Sequence, residues 1–95
     1  MKEDEKFFFR MCVMYRNRSV APVRIRDIVN ILYDAGVMHY KRCWYLLRKW
    51  GNLGFYDYGV TEDLGWFVMD RIPERYTDLL EDHQKSSVMG RKQED

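Results

Sequence analysis

Residues 43–56 read CWYLLRKWGNLGFY, and this stretch carries most of the information about the fold. Its first half repeats apolar side chains at helical spacing, because Cys43, Leu47 and Trp50 stand at positions i, i+4 and i+7. Gly54 follows four residues after Trp50. An apolar, β-prone run begins directly after that glycine. The stretch therefore predicts a helix that ends in a tight turn and leads into a strand.

The rest of the chain alternates helical and extended patterns. Pro22 lies among β-prone residues and cannot occupy the interior of a helix. Gly36 follows an amphipathic run over residues 26–35 and is suited to end a helix there. The predicted elements are a helix over residues 2–17, an extended segment over 19–25, helices over 26–35 and 39–50, a hairpin of 55–60 with 66–69, and a helix over 74–82. The predicted class is α+β, mostly helical, with one domain over residues 1–83 and a flexible polar tail over 84–95.

This order of elements resembles the winged helix-turn-helix superfamily. The recognition helix of that family shows apolar residues at i, i+4 and i+7, then a glycine and an apolar residue that opens the wing. Those positions are filled here by Cys43, Leu47, Trp50, Gly54 and Phe55. Residues 25–32 resemble the helix that enters the turn, although the interval from Leu32 to Cys43 is longer than the commonest version. The resemblance covers half of the chain and implies an N-terminal helix, a short β-hairpin wing and a C-terminal helix.

Charge is divided between the two halves of the chain. Residues 1–52 carry eleven Lys and Arg against five Asp and Glu, whereas residues 53–95 carry five against ten. The acidic residues 3–5 suit the start of the first helix, because negative charge there favours the helix dipole. A basic first half suits a polyanionic partner, and the acidic second half does not.

The outward side of the third helix is basic on a helical wheel. Lys41, Tyr45 and Arg48 lie opposite the apolar stripe, and no Asp or Glu between residues 37 and 54 offsets the cations. Such a face can contact base edges and phosphates in the major groove. The alternative is that lysine and arginine side chains lie on a surface helix only because they are well hydrated there. The predicted DNA contacts on this helix are Lys41, Arg42, Tyr45, Arg48 and Lys49.

Arg24 and Arg26 flank the start of the second helix. In the helix-turn-helix arrangement that helix crosses the DNA backbone, so both are candidate phosphate contacts. An equal alternative is that they pair with Asp27 or Asp34 on the protein surface.

The predicted wing is acidic at its tip. Glu62 and Asp63 would be repelled by phosphates, so we expect that the wing stays off DNA and faces solvent, a second subunit or another protein. The candidates for a protein interface are Phe8, Glu62, Asp63 and Trp66.

These observations predict a sequence-specific regulator of transcription from a bacterium, a phage or a mobile element. Residues 39–50 would enter the major groove of double-stranded DNA, and the apolar first helix or the C-terminal helix would form a homodimer. The alternative is a protein-interaction module on the same fold, such as a small phage-encoded inhibitor or adaptor of a host protein or nucleoprotein complex.

Several classes of function lack support in the sequence. His39 and His83 have no Cys or His at metal spacing, and Cys12 and Cys43 suit reduced buried thiols. There is no catalytic constellation, signal peptide or apolar run of membrane-spanning length. We therefore expect a cytoplasmic protein that is not an enzyme and has no cofactor, metal, membrane partner or small-molecule ligand.

Overall fold

Four α-helices and a two-stranded hairpin form the described part of the chain, residues 1–80, in the computed structural model. This is an α+β fold that is mostly helical, as predicted. The elements are α1 (Glu3–Cys12) continued by a π-helical segment (Val13–Asn17), α2 (Ile25–Asp34), α3 (Tyr40–Leu53), β1 (Tyr56–Asp57), a 3-10 turn (Glu62–Leu64), β2 (Trp66–Phe67), a second 3-10 turn (Met69–Arg71) and α4 (Glu74–Thr77).

The third helix is longer than predicted. It begins at Tyr40, because His39 caps it with Nδ1 accepting a hydrogen bond from the backbone N–H of Lys41 at 3.1 Å. It continues for one turn beyond Trp50 and ends at Gly54, whose φ of 94° lies in the left-handed region that glycine enters without strain. The predicted helix is confirmed, but its predicted last residue, Trp50, was three positions too early.

The predicted hairpin forms, but its strands are only two residues long. Tyr56 pairs with Phe67 and Asp57 with Trp66 in antiparallel register. The outer edge of β2 is covered by Asn17, whose side-chain amide donates to the Phe67 carbonyl at 2.7 Å and accepts from its N–H at 3.1 Å. An edge covered in this way offers no free ladder to another chain at that residue.

Two expectations about local structure were wrong. Residues 19–24 form bends and irregular backbone, Ile25 already belongs to α2, and the side chain of Val20 is fully exposed instead of packing as a strand residue would. The helix expected over 74–82 is a single turn in the described residues, and Pro73 lies before it as the N-cap. The end of that helix, the domain limit at residue 83 and the tail over 84–95 fall outside the described residues.

The core is aromatic and centres on Trp50 of α3. The indole has no exposed area and lies 5.6 Å from the ring of Phe8, 5.7 Å from Phe9 and 5.7 Å from Phe67, measured between ring centroids. Tyr76 of α4 closes the cluster at 6.4 Å. One side chain therefore joins α1, α3, the hairpin and α4.

A buried carboxylate fixes the orientation of this cluster. Glu5 of α1 accepts hydrogen bonds from Trp50 Nε1 at 3.0 Å, from the Tyr76 hydroxyl at 2.7 Å and from Lys49 Nζ at 2.9 Å. Burial by itself would raise the pKa of Glu5, but these three donors outweigh burial and lower it below its ordinary value. The carboxylate thus stays ionised at neutral pH inside a core of rings.

No helix within residues 1–80 has the length and apolar character that a bilayer crossing requires. In the same residues, no group of three or more His, Cys, Asp and Glu side chains is arranged to hold a metal ion.

Replacement of Glu5 should destabilise the fold strongly. Glu5→Ala leaves two buried donors, Trp50 Nε1 and the Tyr76 hydroxyl, without an acceptor, so we expect a loss of about 3 kcal/mol in the free energy of unfolding. Urea unfolding measures this loss. Glu3→Ala is the matched control: Glu3 makes an exposed pair with Lys6 on the same helix, and its removal should change stability by less than about 0.5 kcal/mol.

The pH dependence provides a second readout of the same site. Because the folded pKa of Glu5 is lowered, its contribution is complete above the ordinary glutamate pKa and is lost as the pH falls through the folded value. Glu5→Gln should therefore reduce the acid dependence of unfolding. Equal losses from the variants at positions 3 and 5, or an unchanged acid profile for Glu5→Gln, would contradict this role.

Candidate interaction surface

The outward side of α3 forms a ridge that we call the α3 face, defined by Lys41, Tyr45 and Arg48. Their side chains are exposed, because the apolar stripe of Cys43, Leu46, Leu47 and Trp50 turns the opposite side of the helix into the core. The sequence predicted this orientation correctly.

On one side of the ridge, α1 supplies carboxylates to the cations of α3. Arg42 makes two parallel hydrogen bonds to Asp4, from Nε at 2.9 Å and from the terminal nitrogen at 3.1 Å. Lys49 Nζ lies 2.9 Å from Glu5. The hydrogen bond from Arg42 lowers the pKa of Asp4, and the same bond raises the pKa of Arg42, so both groups remain charged.

On the other side of the ridge, the loop of the hairpin supplies carboxylates to Arg48 of α3 and to Arg24 and Arg26 at the start of α2. Arg48 Nε lies 3.0 Å from Glu62, and Arg24 lies 2.6 Å from Asp63. Arg26 Nε lies 3.4 Å from the same Asp63 oxygen. Only 3% of the Asp63 side chain is exposed, although it belongs to a loop. Hydrogen bonds from Thr61 and Arg24 lower its pKa against the opposing effect of burial.

Arg16 keeps this acidic loop folded against the body of the protein. Its guanidinium is buried and donates to the carbonyls of Gly65 at 2.9 Å, Leu64 at 3.2 Å and Val23 at 3.4 Å. The same group lies 3.9 Å from the ring centroid of Trp66, as in a cation–π contact. The loop therefore lies on α2 and α3 of its own chain.

Gly65 is required for this close approach. A Cβ atom at that position would lie 2.5 Å from the ring of Tyr56, which no rotamer of a side chain on residue 65 avoids. The Tyr56 hydroxyl donates to the carbonyl of Glu62 in the same loop, so the ring itself is held in place.

A cleft of about 320 Å³ lies where the loop meets α3. Its lining residues combine one aromatic side chain with both signs of charge, and they are Arg26, Trp44, Arg48, Thr61, Glu62 and Asp63. The cleft continues the α3 face toward the hairpin. Because its charges are already paired, it suits neutral polar or mixed-charge groups better than a single anion.

Five of the seven predicted DNA contacts are in ion pairs with the chain's own carboxylates. Those five are Arg24, Arg26, Arg42, Arg48 and Lys49. Lys41 and Tyr45 make no ion pair within residues 1–80. The alternative weighed for Arg24 and Arg26 was pairing with Asp27 or Asp34, whereas the structure pairs both with Asp63.

The predicted protein-interface residues separate into two groups. Phe8 has none of its surface exposed, because it packs on Trp50, and the monomer offers no part of it to a partner. The neighbouring Phe7 is the exposed aromatic of that helix. Asp63 is likewise buried, whereas Trp66 is exposed and Glu62 is partly exposed beside Arg48.

Sequence reasoning missed the contacts that Asp4 and Glu5 make with the cations of α3 and those that Arg16 makes with the hairpin loop. The acidic pair lies 38 and 44 residues before its basic partners, and Arg16 lies 49 residues before Gly65. No local spacing signals a contact at such separations. A weak signal was present in the charge division, since the acids of the second half needed partners and the first half had a surplus of cations.

Comparison with protein-family models, with curated proteins and with solved structures finds no match for this chain. The function has to be argued from the surface itself.

Neighbouring carboxylates of the loop should differ sharply in their contribution to stability. Asp63→Asn removes the charge that a buried site shares with Arg24 and Arg26, so we expect a loss of about 1–3 kcal/mol in unfolding free energy. Glu62→Gln removes an exposed pair and should cost less than about 1 kcal/mol. Chemical denaturation of both variants checks this order, and the reverse order would show that the loop is not held by Asp63.

Proposed function

We propose that this protein is a protein-interaction module, an adaptor or inhibitor that acts by contact, with the α3 face and the adjoining cleft as its binding surface. The observation that carries this proposal is the internal neutralisation of that surface. Of the six cations there, all but Lys41 pair with four carboxylates of the same chain, at Asp4, Glu5, Glu62 and Asp63. Interleaved charge of this kind favours a protein partner, whereas DNA selects a broad basic face.

The composition of the surface agrees with that proposal. Tyr45 and Tyr40 are exposed, Trp44 lines the cleft, and Arg42 lies 5.5 Å from the ring centroid of Tyr45. Tyrosine, tryptophan and arginine are the side chains most enriched among residues that dominate protein–protein binding energies. The two parallel hydrogen bonds to Asp4 also hold Arg42 in one conformation, which reduces the entropy lost on binding.

We further propose that the frame is a winged helix-turn-helix. Support comes from the order of α2, α3 and hairpin, from the glycine that ends α3, and from the core packing of Cys43, Leu47 and Trp50. In this proposal the hairpin with its acidic loop is the wing. The wing lies on α2 and α3 of its own chain, which agrees with the expectation that it stays off DNA.

A second candidate function is binding to double-stranded DNA. It is favoured by Lys41, which is exposed, and by Arg26 and Arg48, whose side chains are 57% and 60% exposed despite their ion pairs. Exposed pairs exchange easily, since such pairs contribute little free energy. A duplex could then compete for these guanidinium groups.

Salt dependence separates the two functions. An excess of two cations would release about two counterions, so affinity for random duplex DNA should fall about tenfold between 50 and 200 mM salt. If all six cations moved to phosphates, the fall would be about a thousandfold or more. Fluorescence anisotropy with a labelled duplex measures both slopes. A steep slope together with submicromolar affinity at the higher salt would overturn the protein-interaction proposal in favour of DNA.

A matched pair of variants tests the binding surface. The tagged protein should retain a stoichiometric partner from nuclease-treated lysate of its source organism, and Tyr45→Asp should lose it, because a charge is placed in the centre of the ridge. Asp70→Asn, an exposed change in the 3-10 turn after β2, should keep it. Retention by both variants would exclude the α3 face, and capture that disappears with nuclease would favour DNA.

A further inference from the structure

A second surface, separate from the α3 face, is apolar and open. A groove of about 330 Å³ lies between α1 with its π-helical extension and the start of α2. It is lined by Met11, Tyr15, Val23, Ile28 and Ile31. None of these residues belongs to α3 or to the hairpin, so the groove and the α3 face use different parts of the chain.

The rim of the groove exposes large apolar side chains. Ile31 is 63% exposed on α2 and Tyr15 is 43% exposed in the π-helical segment that follows α1. Phe7, also exposed, lies one turn before Met11 on the same side of α1. Single exposed apolar residues are ordinary, but a continuous group bordered by charge marks an interaction site.

The two edges of this surface carry opposite charge. On a helical wheel Arg10 lies at the edge of α1 that points away from α2, beside Phe7. Asp27 and Asp34 lie at the edge of α2 that points away from α1, four residues before and three residues after Ile31. Within residues 1–80, none of these three charged side chains makes an ion pair. By contrast, five of the six cations on and beside the α3 face are paired in the same residues.

A surface of this pattern is complementary to itself. A two-fold axis that runs along the groove, in the plane of the contact, places the basic α1 edge of one copy on the acidic α2 edge of the other, twice in the same dimer. Two edges of equal sign would repel under the same operation. The arrangement of apolar centre, cation and carboxylates therefore selects a second copy of this chain over an arbitrary partner.

We propose that a second copy docks on this groove and forms an isologous dimer. The exposed Ile31 of each copy packs on the apolar groove of the other, and Arg10 of each copy pairs with Asp27 and Asp34 of the other. The dimer leaves both α3 faces available, so it would present two identical binding surfaces to a partner. Such a pair binds a repeated target with greater avidity than a single module. This dimer does not depend on the function proposed above.

The apolar contact is tested by sedimentation velocity of the full chain at concentrations up to about 100 μM. The unmodified protein should sediment as a dimer, and Ile31→Asp as a monomer, because the variant places a charge in the apolar centre. Ile31 lies on the surface, so its replacement leaves the core intact, which circular dichroism checks. Val60→Asp is the matched control, since Val60 is fully exposed and lies outside the groove. It should remain dimeric.

Charge reversal tests the orientation of the two copies. Arg10→Glu makes both edges acidic, and Asp27→Lys with Asp34→Lys makes both basic, so each variant alone should dimerise about tenfold more weakly or worse. Mixing the two variants restores opposite charges at both contacts and should give a heterodimer with the affinity of the unmodified protein. A monomeric unmodified protein, dimers that survive Ile31→Asp, or a mixture that stays monomeric would each overturn the proposal.

Discussion

The carboxylate of Glu5 connects the stability of this protein to the character of its surface. It lies in the aromatic core and accepts hydrogen bonds from Trp50, Tyr76 and Lys49, so it fixes α1, α3 and α4 relative to one another. A buried ion pair of this kind contributes little net stability, but removing one partner is costly. The carboxylate also neutralises Lys49, a predicted DNA contact. The requirement to satisfy one buried anion therefore shapes both the core and the charge of the α3 face.

On the other side of α3, the acidic loop of the hairpin also supplies a buried carboxylate that neutralises cations of the same chain. Asp63 is buried against Arg24 and Arg26, and Arg16 donates hydrogen bonds to carbonyls of the loop. The loop is thereby used to neutralise cations of the same chain. A basic helix that would suit phosphates by itself becomes a mixed-charge surface with exposed aromatic side chains, which is the basis for proposing a protein partner.

Much of the frame could be predicted from local pattern. The apolar spacing of Cys43, Leu47 and Trp50 indicated the buried side of α3, and the aromatic runs indicated a hairpin. These features depend on residues within one or two turns of each other. Errors arose where tertiary contacts decide, as in the segment over 19–25, whose β-prone residues find no strand to pair with in the described structure.

The candidate site was predicted only in part, for a related reason. A helical wheel identifies which side chains of α3 point outward, but it does not show what reaches them from distant parts of the chain. The partners of Arg42 and Lys49 come from α1, and those of Arg24, Arg26 and Arg48 come from the hairpin loop. Burial of Phe8 instead of Phe7 was equally undetermined, because α1 is apolar on nearly every side and only packing selects the inner face.

The central claim is that Arg24, Arg26, Arg42 and Lys49, the cations that border the α3 face, are held by the chain's own carboxylates and are not available to a polyanion. Carboxyl NMR titration of Asp4, Glu5 and Asp63, with and without duplex DNA, measures this directly. The account predicts a lowered pKa for all three groups, unchanged when duplex is added. Ordinary pKa values in the free protein, or a shift of these groups when duplex is added, would contradict it.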